Sequence, residues 1–277
     1  MKFLGLDAQI DKWLVEDMPY MDMTTDLLDL DDRITSAEVT AKEAGVIAGL
    51  EVFKAVFERV NSTFQLEFFV KEGQYVDNRK IIAVVKGPAK DMLKAERLAL
   101  NLLQRMSGIA TLSYKFAKSV DTYDTKIVDT RKTTPGLRQF EKYAVRVGGC
   151  FNHRYSLSDA VMIKDNHIKA AGGITNAVSS IKSKIGHTTS IEVEVTNIEE
   201  LNEAVKAGAD IVMLDNMPLE MMSEAVRIAG DKVVLEASGG VNLDTVRGIA
   251  ATGVHVISVG ALTHSYKSMD ISMNISL

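Results

Sequence analysis

The 277 residues contain one cysteine, Cys150, so no internal disulfide can hold the fold together. With thirteen methionines alongside it, the composition suits a reducing interior, and a cytoplasmic location is expected. No stretch approaches ~18 uninterrupted apolar residues, so a membrane-spanning helix is not expected. The first residues, MKFLGLDAQIDKWLVED, carry acids where a secretion signal needs an apolar run and small cleavage residues. Positive charge is not in surplus either: 32 Lys and Arg face 37 Asp and Glu, for a formal net charge of −5. That balance excludes a nucleic-acid coat and a generally basic membrane surface, so neither nucleic acid nor membrane is expected as a partner.

What is present is an ordinary globular composition, 46% hydrophobic and 25% charged, long enough for one large domain or two smaller ones. The exception is local. Between Lys126 and Lys169, nine cations (Lys126, Arg131, Lys132, Arg138, Lys142, Arg146, Arg154, Lys164, Lys169) face four anions (Asp129, Glu141, Asp159, Asp165), with His153 and His167 among them. Arg131 and Lys132 follow the apolar pair Ile127-Val128, and Lys164 ends the run Ala160 to Ile163. Short apolar runs of this kind read as buried strands. A cation at the end of a buried strand points into a cleft and needs an anionic partner there. A pocket for a small, highly anionic ligand is the first expectation.

In chain order, Leu6 to Glu16 has helical spacing, with Leu6, Ile10, Trp13 and Leu14 on one stripe, and Asp22, Thr24 and Thr25 read as turn or cap residues. Ile34 to Ala41, Gly45 to Ala48, Leu66 to Val70 and Lys80 to Lys86 read as strands, and Leu50 to Val60 as an amphipathic helix, together an α+β layer. Lys90 to Met106 is a strong helix. Ser107 to Thr111 (SGIAT) is expected to break it before a second helix, Leu112 to Val120. Spacing alone reads Arg97 as a solvated helix residue.

From Lys126 on, six apolar runs alternate with helical stretches: Ile127-Val128, Ala160 to Ile163, Ser190 to Val195, Asp210 to Leu214, Val233 to Leu235 and Val254 to Val259; the helical segments between the later runs each end at Gly, and the unit repeats about every 20 residues. Successive βα units of this kind predict a parallel sheet, and an α/β barrel is preferred to an open doubly wound sheet. After the runs stand Arg131 and Lys132, Lys164, Glu194, Asp215, Ser238-Gly239-Gly240 and Gly260. Polar residues at six strand ends mark a site, because barrels of this type build their catalytic face there. Glu192 and Glu194 share one strand face, and Lys164 and Lys132 are the partners expected for these acids. The glycine runs ASGGVN and SVGALTHS follow the last two strands, where barrels frequently hold phosphate.

The motifs DTRKTTPGLR, EKYAVRVGG, NHR and IKDNHI closely resemble the quinolinate phosphoribosyltransferase family. DMTTD, AERLALN…SGIAT, EVEV, VMLDN, LEASGGV and SVGALTHS extend the resemblance over nearly the whole chain. It implies an α/β protein with an N-terminal α/β sandwich domain, residues 1–111 with the tail 264–277 packed back on it. An incomplete, TIM-like α/β barrel would follow at residues 112–263. It also implies a homodimer, or a higher even-numbered oligomer, in which one sandwich domain covers the other subunit's barrel site. The reaction implied joins quinolinate to 5-phosphoribosyl-1-pyrophosphate with Mg²⁺, giving nicotinate mononucleotide, pyrophosphate and CO₂ in NAD synthesis.

On that resemblance Arg131, Arg154 and Lys164 hold the quinolinate carboxylates, and Arg97 reaches in from the partner subunit, against the spacing-only reading. His153 and Lys132 line the substrate and pyrophosphate region, with Thr130 beside them. Glu194 and Asp215 face the ribose hydroxyls and, through water, the metal; with Lys132 they are the expected catalytic residues. Ser238, Gly239 and Gly240, with Val259, Gly260 and Ala261, cradle the 5′-phosphate. The chain departs from the family at Cys150, where a third glycine is usual, and at Ser156, where glycine is frequent. If Cys150 needs a positive φ, it costs roughly 1 kcal/mol or more. Competing expectations are a non-catalytic phosphosugar-binding barrel, a molybdenum-transport-associated paralogue, and a Schiff-base aldolase using Lys164.

Overall fold

The computed structural model describes residues 3–30 and 33–276, so the first two residues of the N-terminal stretch and the last of the tail lie outside the described residues. The chain forms two units: Met1–Leu112 with Gln139–Gly148 and Tyr266–Leu277, and Ser113–Arg138 with Gly149–Ser265. From sequence, Gln139–Gly148 is expected with the barrel; it belongs instead to the first unit. The reason lies in its apolar stripe: Phe140 is fully buried and stacks with Phe3 at 4.9 Å and with Trp13 at 5.6 Å.

In the first unit, helices α1 (Leu6–Asp17) and α2 (Met23–Leu27) precede strand β1 (Ile34–Ala41) and the short β2 (Gly45–Val46). Asp22 caps α2, accepting from the N–H groups of Thr24 and Thr25 at 3.0 Å. Then come α3 (Leu50–Val60), β3 (Gln65–Phe68), β4 (Tyr75–Val76), β5 (Ile81–Pro88) and the long α4 (Ala89–Ser119). Alternation places Ala37, Val39 and Ala41 of β1 on the buried face, and α3 buries Val52, Phe53, Val56 and Phe57. The tail returns as a strand along Ile271–Ser276, so the antiparallel sheet runs tail–β1–β5–β3.

Helix α4 runs unbroken through Ser107 to Thr111, contrary to the expected break. These small residues are there for packing. The Ser107 hydroxyl accepts the Ala48 N–H at 3.0 Å, and Thr111 Oγ1 accepts the Val46 N–H at 2.8 Å. A Cβ on Gly108 would sit 2.2 Å from the Lys267 carbonyl oxygen, so the glycine makes room for the returning tail.

The second unit has β6 (Lys126–Val128), then after α5 (Arg138–Val147) come β7 (Val161–Ile163), α6 (Asp165–Ala171), α7 (Ile174–Lys182) and β8 (Ile191–Val195). There follow α8 (Ile198–Ala207), β9 (Ile211–Asp215), α9 (Leu219–Ala229), β10 (Val234–Ser238), α10 (Val246–Ala251), β11 (Val256–Ser258) and α11 (Ala261–His264), while the tail strand, β12 (Ile271–Ser276), belongs to the first unit. All five pairings in this sheet are parallel, in the order β6-β11-β10-β9-β8-β7. A doubly wound sheet reverses its order partway. Here β7 to β11 follow one another and the first strand lies beside the last, the succession of a barrel. It is incomplete between β6 and β7, where a single bridge, Val128 to Phe151, takes the place of a further strand. Among the described residues, no helix is long and apolar enough to cross a membrane.

Candidate active site

The strand ends of the second unit enclose a cavity of about 630 Å³. Thirteen of its wall positions can be followed from strand alternation: inward-facing residues Met162, Glu194, Met213, Asp215, Glu236, Ser238 and Ser258, then the adjoining Thr130, Arg131, Lys132, Lys164, Gly239 and Gly240. His153, Arg154 and Asn216 complete it. His153 and Arg154 arrive by the Phe151 bridge, which runs their segment along the free edge of β6. Asp129, fully buried at the end of β6, then fixes the turn by accepting from Asn152 Nδ2 at 2.6 Å and from the His153 N–H at 2.8 Å.

Of the nine cations of the basic stretch, the pocket takes four: Arg131, Lys132, Arg154 and Lys164. Arg146 is exposed, and the other four have other contacts. Lys142 is buried in the first unit, Lys126 lies over the Phe151 ring, and Lys169 pairs with Asp165 on the surface. Arg138 braces the pocket loops, donating to Thr133 Oγ1 at 2.9 Å and to the Tyr155 carbonyl at 3.0 Å.

Lys164 Nζ meets Glu194 Oε2 at 2.6 Å, the pairing expected from sequence. Glu192 takes a different partner from the lysines expected: its Oε2 lies 3.2 Å from His153 Nε2, which is also 3.5 Å from Glu236 Oε2. Burial alone would lower the His153 pKa, but the hydrogen bonds to Glu192 and Glu236, with their charges, raise it to about 9. Burial, then the Glu236 charge, raises Glu192 above the usual carboxylate range. Nδ1 of His153 accepts the Arg154 N–H at 2.8 Å, a bond that a fully protonated ring forfeits. One such neutral bond contributes about 1 kcal/mol, against roughly 1.5–3 kcal/mol for each hydrogen bond to a charged group. The two buried acids therefore decide, and the ring carries an added proton near neutrality.

The cations are short of anions. Among the described residues, Arg131 Nε is buried with no partner. Burial, then the Arg131 guanidinium beside it, holds the Arg154 pKa below its ordinary value. Arg154 is aimed by a bond from its guanidinium to the Ala160 carbonyl at 2.8 Å. At the opposite wall, Gly239 (φ 94°) and Gly240 (φ 59°) form a turn, and a Cβ on Gly239 would fall 2.2 Å from Asn216 Oδ1.

Residues 22–107 match the N-terminal domain model of quinolinate phosphoribosyl transferase, and residues 109–274 match its C-terminal domain model. The chain belongs to this family. It is 42% identical, over 100% of its length and 96% of the relative's, to a probable carboxylating nicotinate-nucleotide pyrophosphorylase of Bacillus subtilis. The solved nicotinate-nucleotide pyrophosphorylase of Francisella tularensis is 42% identical, with a TM-score of 0.93 and coverage of 98% of this chain and 96% of that one. NadC from Streptococcus pyogenes superimposes with a TM-score of 0.95 at 37% identity, covering 100% and 99%. The competing expectations of a non-catalytic barrel and a transport-associated paralogue find no support among these relatives.

As a quinolinate phosphoribosyl transferase family member, the chain brings together Thr130, Arg131, Lys132, His153, Arg154, Lys164, Glu194, Asp215, Ser238, Gly239 and Gly240 of the expected site. Four expected residues do not line this pocket. Arg97 is exposed on α4 of the first unit, Val259 is buried behind the wall, and Gly260 and Ala261 start α11. Gly260 has a supporting part: a Cβ there would meet the Lys132 stem at 3.2 Å. Glu236, Met162, Met213, Asn216 and Ser258 are site residues that motif reading passed over. For Glu236 the available signal was the alternation Val234 to Ser238, which puts it on the face of Ser238.

Cys150 has no positive φ, so the expected strain is absent; among non-glycine described residues only Arg79 and Asn216 do. Its thiol is buried beside the Ser113 carbonyl at 3.2 Å, and burial pushes its pKa up to about 12. Ser156 ties its loop, its hydroxyl bonding Asp159 Oδ1 at 2.9 Å while its N–H donates to Oδ2 at 3.1 Å.

Proposed function

We propose that this chain transfers the phosphoribosyl group of 5-phosphoribosyl-1-pyrophosphate to quinolinate with decarboxylation, giving nicotinate mononucleotide, pyrophosphate and CO₂. The observation that carries the reading is the set of four cations in one cavity, with a buried guanidinium nitrogen of Arg131 left unpartnered. Two adjacent carboxylates and a polyphosphate donor are the charges such a pocket lacks.

Arg131, Arg154 and Lys164 hold the two carboxylates. Lys164 is about half exposed (47%), so its pairing with Glu194 is readily exchanged for a ligand carboxylate. Glu194, once released, faces the ribose with Asp215, where both carboxylates favour the positive charge that builds at C1 as pyrophosphate leaves. Lys132 offsets charge on the departing group. The ring nitrogen is the nucleophile, so no protein nucleophile is needed, and Lys164 serves as a cation. The turn Ser238-Gly239-Gly240 receives the 5′-phosphate.

Glu194 and Asp215 end adjacent strands and open on one cavity, and two hard carboxylate oxygens that leave room for water suit Mg²⁺. When bound, the ion supplies charge neutralisation for the pyrophosphate. Arg97, exposed on α4, is available to a partner subunit, and we place it in the partner's pocket within a homodimer. The expected place of work is the cytoplasm, a reading supported by the single cysteine.

The deciding assay is CO₂ release from carboxyl-labelled quinolinate, dependent on the phosphoribosyl donor and Mg²⁺. Acceptance of nicotinate alone, without CO₂, would reassign the protein to nicotinate phosphoribosyl transfer.

A further inference from the structure

Asn216 follows Asp215, the last residue of β9, and lines the cavity with its backbone in the left-handed region, at φ 53°. L side chains seldom adopt that region, although asparagine tolerates it better than most. A residue held there inside a site is a reason to look for a function. We propose that the Asn216 carboxamide is a further substrate-binding group, donating from Nδ2 to the 5′-phosphate on the turn Ser238-Gly239-Gly240. The inference rests on the reaction proposed above and names a contact within it.

The left-handed turn does two things. It lets the Asn216 N–H donate to the Ser238 carbonyl at 2.9 Å, which ties β9 to β10 one residue beyond the paired Asp215 and Ser238. It also lays the carboxamide over Gly239. A Cβ on Gly239 would fall 2.2 Å from Oδ1, 2.4 Å from Cγ and 2.7 Å from Nδ2, so the amide fills the place of the missing side chain. Met217, which is buried, and Pro218, the N-cap of α9, come next and anchor the chain beyond it.

An amide fixed in this way is ready for a ligand. It offers two N–H donors and one acceptor oxygen. Among the described residues none of these has a hydrogen-bond partner, and Asn216 is exposed where it lines the cavity.

The chemistry of this wall makes a phosphate oxygen the fitting acceptor. Asp215, Asn216, Ser238, Gly239 and Gly240 close the ends of two adjacent strands, and Asp215 alone among them is charged. An anion on the turn meets a carboxylate there and no cation from these five residues. Neutral donors must hold it: the N–H groups of the turn, the Ser238 hydroxyl and the Asn216 amide. A lysine at 216 would pair with Asp215 and withdraw it from the ribose. The amide adds a donor and leaves that carboxylate free.

The test is titration of ribose 5-phosphate and of inorganic pyrophosphate into the wild type, N216G and N216D, with KM measured for both substrates. Glycine keeps the left-handed backbone and removes the amide, whereas aspartate keeps the shape and turns the donor into an anion. One hydrogen bond to a charged group predicts ribose 5-phosphate binding about 10- to 100-fold weaker in N216G, and weaker still in N216D. The KM for the phosphoribosyl donor should rise in step, while pyrophosphate affinity and the quinolinate KM stay within about threefold. An N216G that binds ribose 5-phosphate as tightly as the wild type, or that loses pyrophosphate to the same extent, overturns the proposal. Should N216D fail to fold, N216G decides alone. A wild type that binds ribose 5-phosphate but releases no CO₂ from quinolinate overturns the proposed reaction, and the N216G titration still decides this contact.

Discussion

Lys164 and Glu194 bond to each other at 2.6 Å across the ends of β7 and β8, so one of the cations expected to await substrate is already paired. An exposed pair of this kind contributes about 0–1 kcal/mol, far less than a doubly charged ligand can offer. Its consequence lies in catalysis: the lysine is held in place, and a carboxylate is released as substrate binds.

E194Q should therefore leave thermal unfolding within about 1 kcal/mol of the wild type, while kcat falls on the order of 100-fold. Denaturation and steady-state kinetics check this together. A large loss of stability with intact kcat would make the pair structural.

Arg131 differs from Lys164, because its Nε is buried with no partner to lose among the described residues. R131A should raise the KM for quinolinate by roughly 10- to 100-fold, the value of one charge-assisted contact. R154A removes in addition the bond to the Ala160 carbonyl, so its unfolding midpoint should fall below that of R131A. Equal midpoints would show that bond to be idle.

The His153 cluster makes stability depend on pH. The folded pKa of about 9 exceeds the ordinary imidazole value of 6.5. The folded state thus binds the proton more tightly than the unfolded chain. Its contribution is complete below about pH 6.5 and is lost as pH rises through about 9. Glu192, also raised, acts in the same direction. The loss should be on the order of 2–3 kcal/mol in the wild type and much smaller in H153N, measured by urea unfolding at both ends of the range.

Cys150 is unstrained and buried, with its thiol pushed up to about 12. Thiol reagents should label the native protein far more slowly than the unfolded chain. C150G should destabilise by about 1–2 kcal/mol, through lost packing and added backbone freedom. A rise in melting temperature would reveal strain after all.

Gly108 carries the tail rather than a helix break. G108A places a Cβ 2.2 Å from the Lys267 carbonyl, which should cost about 3 kcal/mol or more and show as a lowered melting temperature.

The chain by itself determined the two periodicities, and with them most elements and the strand-end positions of Arg131, Lys132, Lys164, Glu194, Asp215 and Ser238. Those positions follow from local geometry, because a strand that alternates must present every second side chain to one face. The six late runs likewise appear as β6 to β11, since each is short, apolar and closed by turn residues. What composition over-read was the charge surplus, which counts cations without regard to the direction in which a helix or strand turns them. Lys142 and Lys126 fall in the same stretch as Arg131 and serve other contacts. Tertiary structure alone decided that SGIAT continues a helix, because its purpose is the approach of a tail more than 150 residues away. It alone also joined His153 to Glu192 and Glu236. No local pattern carries that meeting: it requires the Phe151 bridge to fill the gap in the barrel, and two separate strands to turn their acids toward one ring.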